Sequence, residues 1–174
     1  MQDRAFARHV IDRLGYGPRP GELDRIAATG VERWIAEQLD PASIPLPEAL
    51  AVRLDAMPTL RLDPQQLFLQ YGPRVGLAPG AKPDESQKMA RQHRFRFVAE
   101  TAIDARLVRA LLSPRQLQET LGEFWSNHFN VFIGKELDRI WIGAYVEEAI
   151  RPHVLGKFRD LLFATARHPA MLLY

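Results

Sequence analysis

Residues 113–132, SPRQLQETLGEFWSNHFNVF, carry the clearest helical pattern of the sequence. Ser113 is suited to an N-cap, and Pro114 is suited to the first helical position, where no N–H group is needed. Gln116 follows Ser113 by three residues, which completes the pattern of a capping box. The sequence therefore predicts a helix that begins at this serine.

The apolar residues of this stretch share one face of the predicted helix. Spacings of four, three and four residues place the following side chains on one side: Leu117, Leu121, Phe124 and His128. His128 is therefore expected to point toward the core. Glu123 and Asn127 lie one turn apart on the neighbouring face, where their side chains can share a hydrogen bond. An unpartnered buried polar group costs roughly 1–3 kcal/mol, so we expect a polar network in this turn.

Two interpretations of this turn stay open. Either His128 and Asn127 are interior polar residues that tie helices together, or they line a pocket for ligand binding or acid–base chemistry. The candidate catalytic residues are His128, Asn127, Glu123 and His153, and the candidate ligand-binding residues are Trp125, Arg151 and His168. The sequence assigns no cofactor and leaves open whether the chain is an enzyme.

The composition excludes several classes of site and partner. The length of 174 residues fits one domain or part of a larger one. A formal net charge of +2 gives no general electrostatic case for nucleic acid or an acidic membrane. The lack of cysteine removes disulfides, thiol nucleophiles and cysteine-based metal sites. No run approaches 18 apolar residues, so no membrane span is predicted, and the charged start MQDRAFARHV is unlike a signal peptide.

The spacing of potential ligands also predicts no metal site. The Glu-x-x-His pattern of di-iron bundles and the HExxH zinc signature are both absent from the sequence. Ser126 falls in the middle of a helix, which argues against a nucleophilic serine in a strained turn. His153 and His168 flank helix ends, where an imidazole can bond terminal carbonyls. Arg151 and Arg159, near Glu148 and Asp160, most simply form structural ion pairs.

The rest of the chain also favours helices separated by glycine and proline. Residues 15–21 form a tight loop that lacks the spacing of a phosphate loop and follows a helix rather than a strand. Residues 76–83, with two glycines and two prolines, predict a flexible linker. Asp84 then caps a long helix that is expected to reach Leu112, about 43 Å in length. The basic first half of this helix carries Phe95 and Phe97. Such a pattern can bind single-stranded nucleic acid, but it is more typical of a solvated helix face with a buried aromatic stripe.

These patterns predict an all-α fold of eight or nine helices, irregular and with one long central helix. Residues 1–174 are expected to form a single helical domain. No nucleic-acid partner is predicted. Binding a nucleic acid would require the cluster from Lys88 to Arg96 to join other cations in one surface stripe. The oligomeric state is not determined by the sequence.

Three blocks of the sequence together resemble the bacterial domain-of-unknown-function 1800 family: RLGYGPRPGELDRI, LSPRQLQETLGEFWSNHFNVF and YVEEAIRPHVLGKFRDLLFATARHPAMLLY. Family members are longer, so the resemblance implies that the chain is their N-terminal portion. Members are often exported and often encoded beside a second uncharacterised protein with a sulfatase-like fold. The resemblance therefore implies a periplasmic or secreted setting and a protein partner encoded nearby. It supplies no reaction and no catalytic residues.

The functional expectation is an exported-type helical protein with a polar ligand or catalytic pocket around His128. The alternative is a helical protein–protein interaction module without catalysis. The first predicts a concave pocket where solvent reaches Asn127 or His128, and the second predicts an exposed hydrophobic patch.

Overall fold

A computed structural model describes residues 4–135 and 137–174, and these residues form helices and loops without a strand. The all-α prediction is therefore confirmed. The described part contains ten α-helices: α1 (Arg4–Leu14), α2 (Glu22–Thr29), α3 (Val31–Leu39), α4 (Glu48–Asp55), α5 (Pro64–Tyr71), α6 (Glu85–Leu112), α7 (Gln116–His128), α8 (Asp138–Ala144), α9 (Phe158–Arg167) and α10 (Pro169–Leu173). The count exceeds eight or nine because short segments such as α10 form helices of their own.

The long central helix is α6, with 28 residues and a length of about 42 Å. A capping box starts it, because the Asp84 carboxylate accepts from the Gln87 N–H at 2.7 Å and the Gln87 side chain accepts from the Asp84 N–H at 3.0 Å. Phe95 and Val98 bury its inner face. Ion pairs of Lys88 with Glu85 and of Arg96 with Glu100 lie on its exposed face, as a solvated helix requires.

The core is divided among three groups of helices. Residues of α1, α2 and α3 form one cluster, and residues of α5, α6 and α8 form a second. The third cluster joins α7 to the C-terminal helices around Tyr145, Ile150, Leu161 and Ala170. The helix α6 contributes to the second and third clusters, so it links the middle of the chain to its C-terminal part.

A π-helix, Tyr145–Ile150, continues directly from α8 and ends at a 3-10 turn, Arg151–His153. Pro152 has no N–H group, and its ring clashes with the carbonyl four residues earlier in an α-helix. We attribute the widened turns to this proline, since a π-helix moves each carbonyl away from the α-helical position. The Ala149 carbonyl, near the end of the π-helix, lies 3.1 Å from Nδ1 of His153, so this side chain bonds the C-terminal end of the helix.

The predicted capping box at Ser113 is wrong. The helix α7 begins at Gln116, whose side chain donates to the Ser113 carbonyl at 2.7 Å, while the Ser113 hydroxyl accepts from the Arg115 N–H. The orphan N–H group of Leu117 is bound by the side-chain carbonyl of Gln38 at 3.1 Å. An amide from α3 thus supplies the acceptor that a local cap would have supplied.

The junction between α6 and α7 is held by hydrogen bonds with three distant segments, two of which contribute side chains and one a backbone carbonyl. Gln38 donates to the Pro114 carbonyl at 3.0 Å, and Arg115 donates to the Ile44 carbonyl at 2.9 Å. Arg19, from the loop after α1, donates to backbone carbonyls at the end of α6 and at the junction. These bonds fix the angle at which α7 leaves α6.

Residues 76–83 contain no helix, and a flexible linker at this position stays a prediction. Within the described ranges, no helix is both long enough and apolar enough to cross a membrane.

Candidate functional site

The loop after α1 places Tyr16 against α7. The Tyr16 N–H donates to the side-chain carbonyl of Gln116 at 3.0 Å, and its hydroxyl donates a long bond of 3.5 Å to the Glu119 carbonyl. A Cβ atom on Gly15 would lie only 3.0 Å from the Gln116 Cβ. Glycine at this position therefore allows the loop to approach α7 closely enough to place the phenol beside it.

Beneath Tyr16, three arginine–glutamate pairs join α6, α7 and the C-terminal end of the π-helix. The pairs are Arg106–Glu123, Arg109–Glu147 and Arg151–Glu119. Each pair is bidentate, with two guanidinium nitrogens that donate to the two carboxylate oxygens. A longer contact of 3.8 Å between Arg151 and Glu147 connects two of the pairs. Four of the six side chains are thus linked directly by ion pairs, the Arg106–Glu123 pair lies beside them, and the charges of this network balance.

Burial decides how the members of this network depend on one another. The Glu119 side chain is 6% exposed and the Arg109 side chain is 10% exposed, whereas the Arg106–Glu123 pair reaches the surface. Charges at such depth are tolerated only with paired, hydrogen-bonded partners, and removal of one partner typically costs roughly 3–5 kcal/mol. The two inner pairs, Arg109–Glu147 and Arg151–Glu119, therefore hold the helices together. The outer pair, Arg106–Glu123, is accessible to a ligand.

A cleft of about 420 Å³ opens beside the outer pair, between α6 and the Tyr16 loop. Its lining combines polar groups with an apolar wall: Tyr16, Ile103, Arg106, Leu107, Ala110 and Glu123. The volume falls in the range of about 300–1,000 Å³ that is typical of small-molecule sites. A separate small cavity of about 10 Å³ shares Tyr16, Arg106 and Glu123 with the cleft and is also lined by Ser126 and Arg151; its volume is about the space that one water needs.

The Tyr16 phenol stays protonated in this position. Partial burial and then the carboxylates of Glu123 and Glu119 raise its pKa to about 12, against the smaller lowering effects of Arg106 and Arg151. The phenol is therefore a neutral donor and acceptor at the edge of the cleft. In the described residues no group of three or more His, Asp or Glu side chains is placed to hold a metal ion.

His128 does not point into the core, so the prediction of an interior histidine is wrong. Its side chain is exposed and lies in a group of rings, 6.2 Å from Phe124, 5.5 Å from Trp125 and 4.8 Å from Phe129 between centroids. Phe124, on the same predicted stripe, is 55% exposed. The reason is that Glu119 occupies the buried side of α7, because its arginine partner neutralises it.

The predicted hydrogen bond between Glu123 and Asn127 is also wrong. Asn127 is exposed, and in the described part of the chain its amide makes no hydrogen bond with Glu123. The Glu123 carboxylate instead accepts from Arg106, at 2.6 Å for the bond from Nε. A guanidinium from α6 offers two charge-assisted bonds, which outcompete one neutral amide on the same helix. Glu123 lines the cleft, and His128 and Asn127 do not.

Three further candidates have structural positions. Trp125 is half-buried and its ring lies 5.7 Å from Phe158. Arg151 forms an ion pair as predicted, although its partners are Glu119 and Glu147 rather than Glu148. His153 bonds a helix-terminal carbonyl, also as predicted, and lies outside the cleft lining.

His168 is buried and caps α10. Its Nδ1 accepts from the Ala170 N–H at 3.2 Å, so the predicted bond to a terminal carbonyl is wrong for this histidine. The proton then belongs on Nε2, which lies 3.6 Å from a Glu148 carboxylate oxygen. Burial lowers the pKa of His168 to about 4, so the imidazole is neutral near pH 7. A neutral, capping histidine has a structural role.

The site residues that sequence reasoning missed are Tyr16, Arg106, Arg109, Glu119 and Glu147. One signal was present for the two arginines of α6. Neither Arg106 nor Arg109 has an acidic residue three or four positions away along the helix, so each needs a partner from another element. The identity of that partner is not encoded locally.

Comparison with known proteins adds one finding. Neither a curated protein nor a solved structure matches the chain. A family model described as "Protein of unknown function (DUF1800)" matches residues 9–174. The matched residues include the Tyr16 loop, the three ion pairs and the rings of α7, which are Phe124, Trp125 and His128. The chain belongs to the DUF1800 family.

Proposed function

We propose that this protein binds a small ligand in the cleft between α6 and the Tyr16 loop. The observation that carries the proposal is the combination of an apolar wall, Ile103 and Leu107, with three polar groups, Tyr16, Arg106 and Glu123, in one cleft. Small-molecule sites have this composition, in which a few polar groups orient a ligand that apolar surface binds.

The charge of the network indicates the class of ligand. Three arginines and three glutamates balance, and the arginine at the cleft is already bonded to Glu123 through two nitrogens. An anion would have to displace a carboxylate, and a cation would have to displace a guanidinium. A ligand with an apolar body and a neutral or zwitterionic head fits instead, with hydrogen bonds to Tyr16 and Glu123.

The inner ion pairs support the proposal because they make the cleft rigid. Arg109 and Arg151 hold α6, α7 and the π-helix at fixed distances through bonds of 2.5–3.1 Å. A ligand then meets side chains that are already positioned, which lowers the entropy cost of binding. The proposal moves the expected pocket from His128 to the opposite face of α7, and it concerns binding rather than a reaction.

The alternative, an interaction module without catalysis, is favoured by a separate observation. Phe124 and Phe158 are 55% and 54% exposed, and their rings join those of Trp125 and Phe129 in one surface. Exposed aromatic patches of this kind mark interaction sites. An exported setting and a partner encoded nearby stay predictions from the family.

A fragment screen by ligand-observed NMR tests the cleft. Neutral, zwitterionic, anionic and cationic fragments are compared with wild-type protein, Ile103→Trp and Val52→Trp. Ile103 and Val52 are both exposed helical residues, so each tryptophan leaves the core intact, but only the first fills the cleft. We expect neutral or zwitterionic fragments to bind wild type and Val52→Trp and to lose binding to Ile103→Trp.

Two results would refute the proposal. One is a screen without any fragment that binds wild-type protein. The other is a set of fragments whose binding is unchanged by Ile103→Trp.

A further inference from the structure

A second set of rings and cations involves α9 and the end of α7, and we call it the aromatic–arginine surface: Trp125 of α7 with Phe158, Arg159, Phe163 and Arg167 of α9. Phe158 and Phe163 are exposed, and both guanidinium groups stack on the Phe163 ring. The central carbon of Arg159 lies 5.5 Å from the ring centroid and that of Arg167 lies 5.0 Å from it. One exposed ring therefore contacts two cations, one from the preceding turn and one from the following turn of α9.

These two arginines differ from the three arginines of the ion pairs between α6, α7 and the π-helix region. Each of those three has a bidentate carboxylate partner, whereas no carboxylate of the described residues pairs with Arg159 or Arg167. The predicted structural pair with Asp160 does not form. A guanidinium stacked on a ring keeps its planar edge of N–H donors accessible, and this edge matches a carboxylate.

The aromatic part of the surface is organised before any partner arrives. The Phe158 ring lies 5.7 Å from Trp125 and 6.2 Å from Phe129 between centroids, and Trp125 and Phe129 pack against the core. Rings fixed by their neighbours lose little conformational freedom on binding. Aromatic residues and arginine are also the residue types that dominate binding energy at protein interfaces.

We propose that the aromatic–arginine surface binds an acidic segment of a partner protein. Carboxylates of the segment bind Arg159 and Arg167, and its apolar side chains pack on Phe158 and Phe163. The proposal rests on the interaction-module alternative above and adds the chemistry of the partner.

The charge of α9 favours a protein segment over a lipid surface or a nucleic acid. Residues 157–167 contain three basic residues and one acidic residue. Each basic residue contributes about 1 kcal/mol at an anionic membrane, which is too little here for stable attachment. A nucleic acid would need a longer stripe of cations, since its affinity depends on the number of phosphates contacted.

The test is a selection from a phage-displayed library of random peptides on the immobilised full chain. The charge-reversed variant Arg159→Glu/Arg167→Glu serves for counter-selection. The matched control is Arg13→Glu/Arg53→Glu, which changes the net charge equally at two exposed arginines of α1 and α4. Circular dichroism checks that both variants keep the helical content of wild type.

We expect the recovered peptides to be rich in Asp and Glu and to contain a large apolar residue. Their Kd, measured by fluorescence anisotropy, should rise roughly tenfold or more for Arg159→Glu/Arg167→Glu, about 1.4 kcal/mol, and stay unchanged for the control. A Phe158→Ala variant should weaken the same peptides. Anionic phosphatidylglycerol vesicles and a single-stranded oligonucleotide should bind wild type more weakly than the peptides do.

Contrary outcomes distinguish two claims of the proposal: that the surface is a protein interface, and that the segment it binds is acidic. Neutral or basic peptides that depend on Phe158 would keep the surface as an interface and overturn the acidic class of partner. A selection without enriched peptides would overturn both. Tighter binding to the vesicles or the oligonucleotide would assign the surface to that ligand and refute the proposal.

Discussion

The two sides of α7 show opposite relations between residue type and burial. On one side the carboxylate of Glu119 is almost fully buried, and on the other side Phe124 and His128 are exposed. The difference comes from partners rather than from hydropathy. Arg151 and Arg106 reach the acidic side from other elements and neutralise it, while the rings on the far side extend past the edge of the core. Burial in this helix therefore follows the supply of partners.

Loss of a buried partner should have the largest effect. Arg151→Met leaves Glu119 buried without its cation, and we expect the free energy of unfolding to fall by roughly 3–5 kcal/mol in urea denaturation at pH 7. Arg33→Met, which breaks the exposed pair with Glu37, should cost less than about 1 kcal/mol. The double change Arg151→Met/Glu119→Met should recover part of the loss. Equal losses for Arg151→Met and Arg33→Met would contradict the buried network.

The histidines extend the comparison, since His168 is buried and His128 is exposed. The pKa of His168 is about 4 in the folded chain, against the ordinary histidine value of 6.5, so between these pH values the unfolded chain binds more protons. The stability contributed by neutral His168 is therefore complete above pH 6.5 and is lost as the pH falls toward 4, by up to roughly 3 kcal/mol.

His168→Asn isolates this effect, because asparagine is a good N-cap and does not titrate. Urea denaturation across the same pH range should show a shallower loss of stability for the variant than for wild type. The raised pKa of Glu148, caused by burial and then by Asp63, acts in the opposite direction in both proteins. Identical pH profiles for the two proteins would show that the imidazole is already solvated.

A smaller effect is expected where the Tyr16 loop meets α7. Gly15→Ala places a methyl group 3.0 Å from the Gln116 Cβ, and we expect a loss of about 1–3 kcal/mol from overpacking. Gly122→Ala is the matched control within α7, because its methyl group meets nothing within 4 Å and should stabilise the helix by about 0.5–1 kcal/mol. A neutral Gly15→Ala would mean that the loop moves away from α7 without cost.

The smallest effect is expected on the exposed aromatic side. His128→Ala should change the free energy of unfolding by less than about 0.5 kcal/mol, as surface substitutions usually do. Thermal and urea denaturation both measure it. A loss of unfolding free energy as large as that of Arg151→Met would indicate that His128 is buried, as the sequence pattern predicts.

The sequence predicts the features that depend on local chemistry. The long helix α6 was predicted because its cap, Asp84, lies directly before it in the sequence. The His153 contact with a terminal carbonyl was predicted for the same reason. The all-α fold class follows from the helical periodicity of apolar residues. The positions of most helix ends follow from glycine and proline.

The candidate site was not predictable in this way. Arg109 and Glu147 are 38 residues apart, and Arg151 and Glu119 are 32 residues apart. Their pairing depends on how three helices cross, which periodicity does not specify. The same limit explains the wrong start of α7, because the acceptor for Leu117 comes from Gln38, 79 positions away.

The π-helix has a consequence for how α6 and the C-terminal helices are held together. Its neighbouring residues Glu147 and Glu148 serve different neighbours, the first bound to Arg109 and the second 3.6 Å from His168. One turn of the π-helix therefore supplies two carboxylates to separate environments. Deletion of Val146, which precedes both, would rotate the two carboxylates away from their partners at once.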